Sequence, residues 1–470
     1  MKHDKEWFSV SKEGLKELQA GKPKIQILRE LIANSFDEVI TECNVWIVRQ
    51  GKSVEISVED DCPEGFKDIT DAYTLFKHTD KRANPKVRGR FNLGEKIAFS
   101  VCDSARVETT KGSIVFDKRG RHSYPSMRRS VGSKITVKLK MDKDEEKELY
   151  GVENYLPPVK VIFKVNDKVI PYRTPKKVFG TTLMTELEDN GVVKRTSRKT
   201  EVQLHVPNEK AYLYELGIPV CVIECDWDID VQQKVPLSID RETVLPSFMK
   251  DLYAEVLNHA YEDITEKNSS ERWVREGMSD ERISPVATKS VINKRYGEKA
   301  VVADPSDTQS IDRAISEGYH VVRGSEMSKE EWNAVREAEA LPSSSKLFRT
   351  TFGESIPYSP VTPEMVAVEG LAKKIAKECL DIDIDVRFIK MKHGVCAEYS
   401  RKVMVFNVSK LGKNFFSPPL SEYVIDLIVH ELGHEQGNHT EENYHRAITG
   451  MAGRLTMTAL EKPEFFEVGK

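Results

Sequence analysis

The spacing of apolar residues between positions 25 and 60 constrains this chain more than any other feature. From Ile25 to about Ile40 they recur at helical intervals, and two strand-like stretches follow at once, Val45 to Arg49 and Ser53 to Val58, joined at Gln50-Gly51. This is a helix feeding a hairpin. After a polar, glycine-containing stretch from Asp60 to Asn92, a second helical pattern begins near Gly94. Strands return at Ala105 to Thr110, Ser113 to Phe116 and Lys134 to Leu139. This mixture predicts an α+β layout rather than a regular βαβ series.

The remaining chain reads as further units, since 470 residues leave room for roughly three domains at about 150 residues each. The charged run 140–149 (KMDKDEEKEL) predicts a solvated helix face and closes a first domain over 1–150. A second α+β domain, 151–270, carries strand signals at Val159 to Val165, Val169 to Tyr172, Glu201 to Val206 and Val220 to Cys225, then a helix from Pro246 to about Ile264. A small α/β connector, 271–345, alternates strand and helix and ends in the linker LPSSS. The last domain, 346–470, begins with a helix from Pro360 to about Cys379, has strands at Asp385 to Lys390 and Val403 to Phe406, and then a helix from about Leu420 to Gln436.

Charge and cysteine usage exclude little. With 71 Lys+Arg against 75 Asp+Glu there is no global bias toward nucleic acid or anionic membrane. No apolar run approaches the ~20 residues of a membrane span. Seven scattered cysteines without a CxxC pair, and an N-terminus MKHDKEWFSV with no apolar leader, predict a reducing, cytoplasmic setting; Cys221 and Cys225 read as buried thiols.

In LRELIANSFDEVI, Glu30, Asn34 and Asp37 stand at i, i+4 and i+7, so one helix face presents two carboxylates and an amide. ISVEDDCPEGF places Ile56, Val58 and Asp60 on one side of a strand that runs into a turn ending at Gly65. An acid at such a strand end is able to accept from the amino group of adenine. GRFNLGEK brackets a helix start with Gly89 and Gly94, where free backbone N–H groups hold phosphate, and VGSKITVKL offers Gly132-Ser133 before another strand.

In that order the segments resemble the N, G1, G2 and G3 boxes of the GHKL ATPases, the Bergerat-fold family of gyrase, MutL, topoisomerase VI, MORC proteins and the ninety-kilodalton heat-shock chaperone. The resemblance covers about residues 10–140. It implies that Glu30 polarises the attacking water, that Asn34 binds Mg²⁺ with Asp37 beside it, and that Asp60, or Asp61 next to it, recognises adenine. It also implies that Gly65 lets the backbone approach the base, that Gly89 to Lys96, including Asn92, Leu93, Gly94 and Glu95, wraps the triphosphate of ATP, and that Ser133 stands where the family has Thr. Two departures are plain: DDCPEG replaces DNGxG, and Asn92 replaces a glycine. A lid falls between Phe76 and Arg90. VQQKVPLSIDRE resembles the transducer loop of the gyrase, MutL and topoisomerase VI branch, which implies a catalytic role for Lys234 at the γ-phosphate and an ATP-dependent homodimer.

Near the other end, VIDLIVHELGHEQGNH contains His430-Glu431-Leu432-Gly433-His434. Spacing of four puts both histidines on one helix face, able to grip one Zn²⁺, with Glu431 placed to take a proton from water. Gly437 allows the chain to turn back, so His439 is the first choice of third metal ligand, with Glu442 and His445 as alternatives. Residues 360–460 resemble small zincin peptidases at HELGH, and Val403 to Phe406 is the candidate edge strand for laying down an extended protein substrate.

The fold expected is α+β multidomain: a Bergerat-fold α/β sandwich ATPase domain, a transducer-like α+β domain, a small α/β connector and a C-terminal zincin-like α+β domain. The basic segments KRGRHSYPSMRR (118–129) and KRTSRK (194–199) read as loops suited to a phosphate backbone. Two functions follow. In one, ATP-driven conformational change regulates a zinc peptidase acting on a protein; in the other, the ATPase is a nucleic-acid clamp and the HExxH domain only binds metal.

Overall fold

The computed structural model describes residues 11–17, 21–77, 80–89, 92–189, 192–238, 243–305, 307–348, 356–391, 395–437, 439 and 441–467. The chain is mixed α+β and divides into two compact units, Met1–Ala260 and Tyr261–Lys470.

In the first unit eight strands form one sheet: β1 (Glu42–Gln50), β2 (Ser53–Asp60), β3 (Ser104–Thr109), β4 (Gly112–Asp117), β5 (Gly120–Tyr124), β6 (Ser133–Lys140), β7 (Ile162–Val165) and β8 (Lys168–Ile170). Their order is β5-β4-β3-β6-β2-β1-β7-β8. β7 and β8, which the sequence assigns to the second domain, complete this sheet instead, because β7 pairs parallel with β1 from Glu42↔Ile162 to Val45↔Val165. Alternation explains the register of β2: Val54, Ile56 and Val58 face the core while Glu55 and Glu59 do not.

The helix Ile25–Phe36 buries Ile27, Leu28, Leu31, Ile32 and Phe36 against that sheet, each apolar side chain contributing about 1.5–3 kcal/mol. It stops short of Ile40. Asp37 caps it and spends its carboxylate on the backbone N–H groups of Arg88 and Gly89, after which Val39 lies in solvent.

A second sheet of the same unit has the order β12-β11-β13-β10-β9, from β9 (Lys177–Asp189), β10 (Val192–His205), β11 (Tyr212–Glu215), β12 (Ile218–Val222) and β13 (Asp228–Val231). KRTSRK is therefore strand, not loop. Its residues pair with β9 from Lys194↔Leu187 to Lys199↔Thr182, as the β-branched residues around it favour. The other basic segment contains β5, and Arg119 and His122 pair there with Asp117. Cys221 and Cys225 are half-buried rather than buried.

The second unit contains a parallel pair, β14 (Ala300–Val302) and β15 (His320–Val322), linked by the helix Thr308–Ser316. The helix Lys329–Glu337 follows, closed at its start by a Ser328–Glu331 capping box. The last sheet has the order β16-β17-β19-β18, from β16 (Ile356–Pro357), β17 (Asp385–Lys390), β18 (Ala397–Ser400) and β19 (Val403–Asn407). Val403 to Phe406 is thus interior, paired on both sides, and β18 is the edge. Helices Pro363–Leu380, Glu422–Gly433 and Glu442–Glu461 share a core with this sheet through Leu371, Ile375, Phe406, Ile428, Leu432 and Met451. The last of these helices lacks a clear sequence signature because its apolar positions are interrupted by Gly450 and Gly453.

Candidate functional site

Glu30, Asn34, Asp60, Gly65, Gly89, Asn92, Leu93, Gly94, Glu95 and Ser133 line one cavity of about 310 Å³ in the first unit. They come from a helix, the end of β2, a turn, the start of the helix Gly94–Ser100 and the start of β6. Asn34 donates to Glu95 Oε2 at 2.6 Å, which leaves the amide oxygen of Asn34 as a ligand atom. The Glu30 carboxylate lies so close to Gly94 that any Cβ there would overlap it. Arg90 and Phe91 lie outside the described residues.

Asp60, not Asp61, faces this cavity. Its Oδ1 accepts from the N–H groups of Cys62 at 3.1 Å and Ser133 at 3.2 Å, and its Oδ2 from Ser35 Oγ at 3.1 Å. Burial raises its pKa above the ordinary carboxylate value, and those three donors offset only part of the shift. Asp61 turns away and accepts from the Thr41 hydroxyl and from the N–H of Thr41 at 2.8 Å and of Glu42 at 3.0 Å; burial opposes ionisation there, but these donors, the hydroxyl foremost, hold its carboxyl low. Two glycines beside Asp60 are conformationally required. Gly65 has φ +60 with a Cβ position blocked by Thr109, and Gly132 has φ +73 with its Cβ position blocked by the Asp60 carbonyl.

Three other expected residues lie elsewhere. Asp37 pairs with Arg88 Nη1 at 2.6 Å, both nearly without solvent contact, and Arg88 Nε continues to the Glu215 carbonyl at 3.1 Å. Lys96 pairs with Glu95 and donates to Asn92 Oδ1 at 2.9 Å. Lys234 is fully buried, with Nζ donating to the carbonyls of Lys81 at 2.6 Å and Arg82 at 3.1 Å. The sequence pattern marks Asp37 as a member of the polar row but carries no sign of Arg88, fifty-one residues away.

In the second unit His430, His434 and His439 bring one ligand nitrogen each within 4.8 Å of the others. His430 Nε2 and His439 Nε2 are 3.1 Å apart, close to the ~3.3 Å between nitrogens at ~2.0–2.1 Å from a tetrahedral zinc. Each ring has a polar partner on its far side: His439 Nδ1 to Asp304 Oδ2 at 3.0 Å, His430 Nδ1 to Tyr444 Oη at 3.0 Å, and His434 Nδ1 to the Gly437 carbonyl at 3.3 Å. Such partners fix tautomer and ring angle. Gly433 admits Tyr444, since a Cβ there would strike its ring.

Glu442 and His445 are exposed on the final helix, and Glu442 pairs with Arg446; neither joins the cluster. Burial and neighbouring imidazoles push His434 down to about 4 and lower His430, which keeps both rings neutral and able to ligate. Burial, with the like charge of Glu398 behind it, pushes Glu431 up to about 8, and the Tyr399 N–H on edge strand β18 opposes this shift. Asp304 and Tyr444 escape a sequence reading because nothing local marks them.

No protein-family model matches the sequence, and no curated protein matches it. Among solved structures, the chain is similar to the ATPase region of Saccharomyces cerevisiae topoisomerase II bound to ICRF-187 (dexrazoxane), at 12% identity and a TM-score of 0.29. It is similar to the same region in a second structure at 13% and 0.30. In both cases the match covers 42% of this chain and 62% of the other. No helix among the described residues is long and apolar enough to cross a membrane.

Proposed function

We propose that the first unit is a GHKL-type ATPase using Mg²⁺ and that its nucleotide-driven movement regulates a zinc-dependent peptidase centre in the second. The reading is supported above all by the convergence of Glu30 and Asn34 from one helix, Asp60 from β2 and Gly94 from a third segment on one cavity.

The lining suits a metal-bound triphosphate. Among the described residues of the lining, six carboxylates (Glu30, Glu38, Asp60, Asp68, Asp71, Glu95) face three ammonium groups (Lys67, Lys77, Lys81), a balance that favours a polyanion carrying a divalent cation. Asp60 accepts the adenine amino group while Ser35, Cys62 and Ser133 hold it still. Asn34 and Glu95 supply oxygens for Mg²⁺, which when bound neutralises phosphate charge. Glu30 orients water and holds its proton. Asp61 and Asp37 lie outside the cavity and hold the backbone at Thr41, Glu42, Arg88 and Gly89, and Lys234 answers to the terminal phosphate only after leaving the carbonyls it now serves. A nucleotide-dependent homodimer belongs to the same proposal.

The three histidines fit Zn²⁺ by donor type, nitrogen spacing and outer partners. Bound zinc supplies a Lewis acid for a peptide carbonyl. With the charge of a bound zinc beside it to ionise its carboxyl, Glu431 would take a proton from water and return it to the departing amine, and β18 offers its open edge to an extended protein substrate.

Mg²⁺-dependent ATP hydrolysis that fails in Glu30→Ala, together with protein cleavage abolished by Glu431→Gln, tests the whole reading. A second reading, an ATP-dependent nucleic-acid clamp, is favoured by one observation: residues 192–199 of β10, with Lys194, Arg195, Arg198 and Lys199, are exposed throughout. Salt-dependent DNA affinity lost on neutralising Arg195, Arg198 and Lys199 would select it.

A further inference from the structure

A cavity of about 1070 Å³ in the second unit is lined by the β14/β15 segment and by His439. It reaches beyond the usual range of small-molecule pockets, ~300–1,000 Å³. His439 is part of its wall, so whatever fills it touches the histidine cluster.

The lining has two characters. Ile311, Val321, Met327, Val335 and Leu341 make an apolar floor, and Trp332 Nε1 donates to the Gly324 carbonyl at 2.9 Å, which fixes the indole beside it. Around this floor stand Arg323, Lys329, Arg336 and Lys346, all exposed, against two lining carboxylates among the described residues, Glu339 and Glu441. Lys329, Trp332 and Arg336 fall at i, i+3 and i+7 of the helix Lys329–Glu337, so one helix face carries cation, indole and cation.

We infer that this cavity binds an acidic peptide segment, seating apolar side chains on the floor and carboxylates against Lys329 and Arg336, and thereby sets the substrate class of the histidine centre. The inference rests on the peptidase reading only for its consequence, since binding is separate from cleavage. A peptide is favoured over single-stranded nucleic acid because the described floor is aliphatic, with Trp332 beside it, whereas base stacking uses successive aromatic faces.

The test is fluorescence anisotropy with the full-length Glu431→Gln protein, loaded with zinc, and two labelled peptides of equal length, one alternating Leu with Glu and one alternating Leu with Lys. The acidic peptide is expected to bind at least tenfold tighter. Adding K329E and R336E should reverse the preference, a gain that unfolding cannot mimic, with zinc content unchanged by elemental analysis. Equal affinity for the two peptides overturns the inference, as does an oligothymidine that binds tighter than the acidic peptide and is lost with the same two substitutions. If acidic peptides bind but the parent protein cleaves none, the peptidase reading fails and the binding site stands.

Discussion

Asp304 accepts a hydrogen bond from His439 Nδ1 at 3.0 Å although 135 positions separate them. That bond leaves His439 Nε2 with its lone pair toward His430 and His434. Asp304→Asn is expected to lower zinc affinity by about 10–100-fold, read by competition with a chelating dye. Parental affinity would mean that the carboxylate does not orient the ring.

Glu30 and Gly94 share one space. Glu30→Ala should keep nucleotide affinity, measured with a fluorescent ATP analogue, while steady-state hydrolysis falls by about a hundredfold or more. Gly94→Ala should act in the same direction by pushing the carboxylate aside. Hydrolysis at the parental rate in Glu30→Ala would remove this residue from the reaction.

The two neighbouring acids of DDCPEG make opposite predictions. Asp60→Asn should weaken ATP binding by about tenfold, the worth of one charge-assisted hydrogen bond. Asp61→Asn should leave affinity unchanged and cost about 1 kcal/mol of stability through Thr41 and Glu42. Calorimetric titration of both variants decides, and an exchange of phenotypes would move the adenine contact to Asp61.

Asp37 and Arg88 form a buried pair whose loss strands a charge. Arg88→Ala should destabilise the first unit by about 3–5 kcal/mol in urea unfolding. A loss below about 1 kcal/mol would show the pair to be dispensable.

His205 makes stability depend on pH. Burial beside Arg173 holds its imidazole at about 4, against 6.5 for an ordinary histidine. Between those values the folded chain binds fewer protons than the unfolded one, so this contribution is intact above pH 6.5 and drains as pH falls toward 4, by up to about 3 kcal/mol. Asp230, raised by burial to about 6, acts in the opposite sense below that pH, so the difference between parent and His205→Gln isolates the imidazole. The stability difference between parent and His205→Gln should shift in the variant's favour as pH falls from 7 to 5; a difference that does not change with pH would refute the assignment.

Local pattern carried much of this molecule. The helix at 25–36 and the β1–β2 hairpin were legible because apolar spacing and a Gln50-Gly51 turn act over a few residues, and His430 and His434 because one helix turn brings them together. Tertiary approach was not legible. Nothing near Asp304 announces His439, nothing near Asp37 announces Arg88, and β19 lost its edge position to a short strand, Ala397–Ser400, too brief for periodicity to reveal. KRTSRK shows the same limit from the other side, since charge suggests a loop and only pairing with β9 makes it a strand.

The Lys234 ammonium, shared by the carbonyls of Lys81 and Arg82, is a latch whose bolt and keeper stand 153 and 152 positions apart in the first unit. Whatever draws that ammonium away frees two peptide oxygens at once, so the bolt cannot slide without loosening the strip of chain it secures.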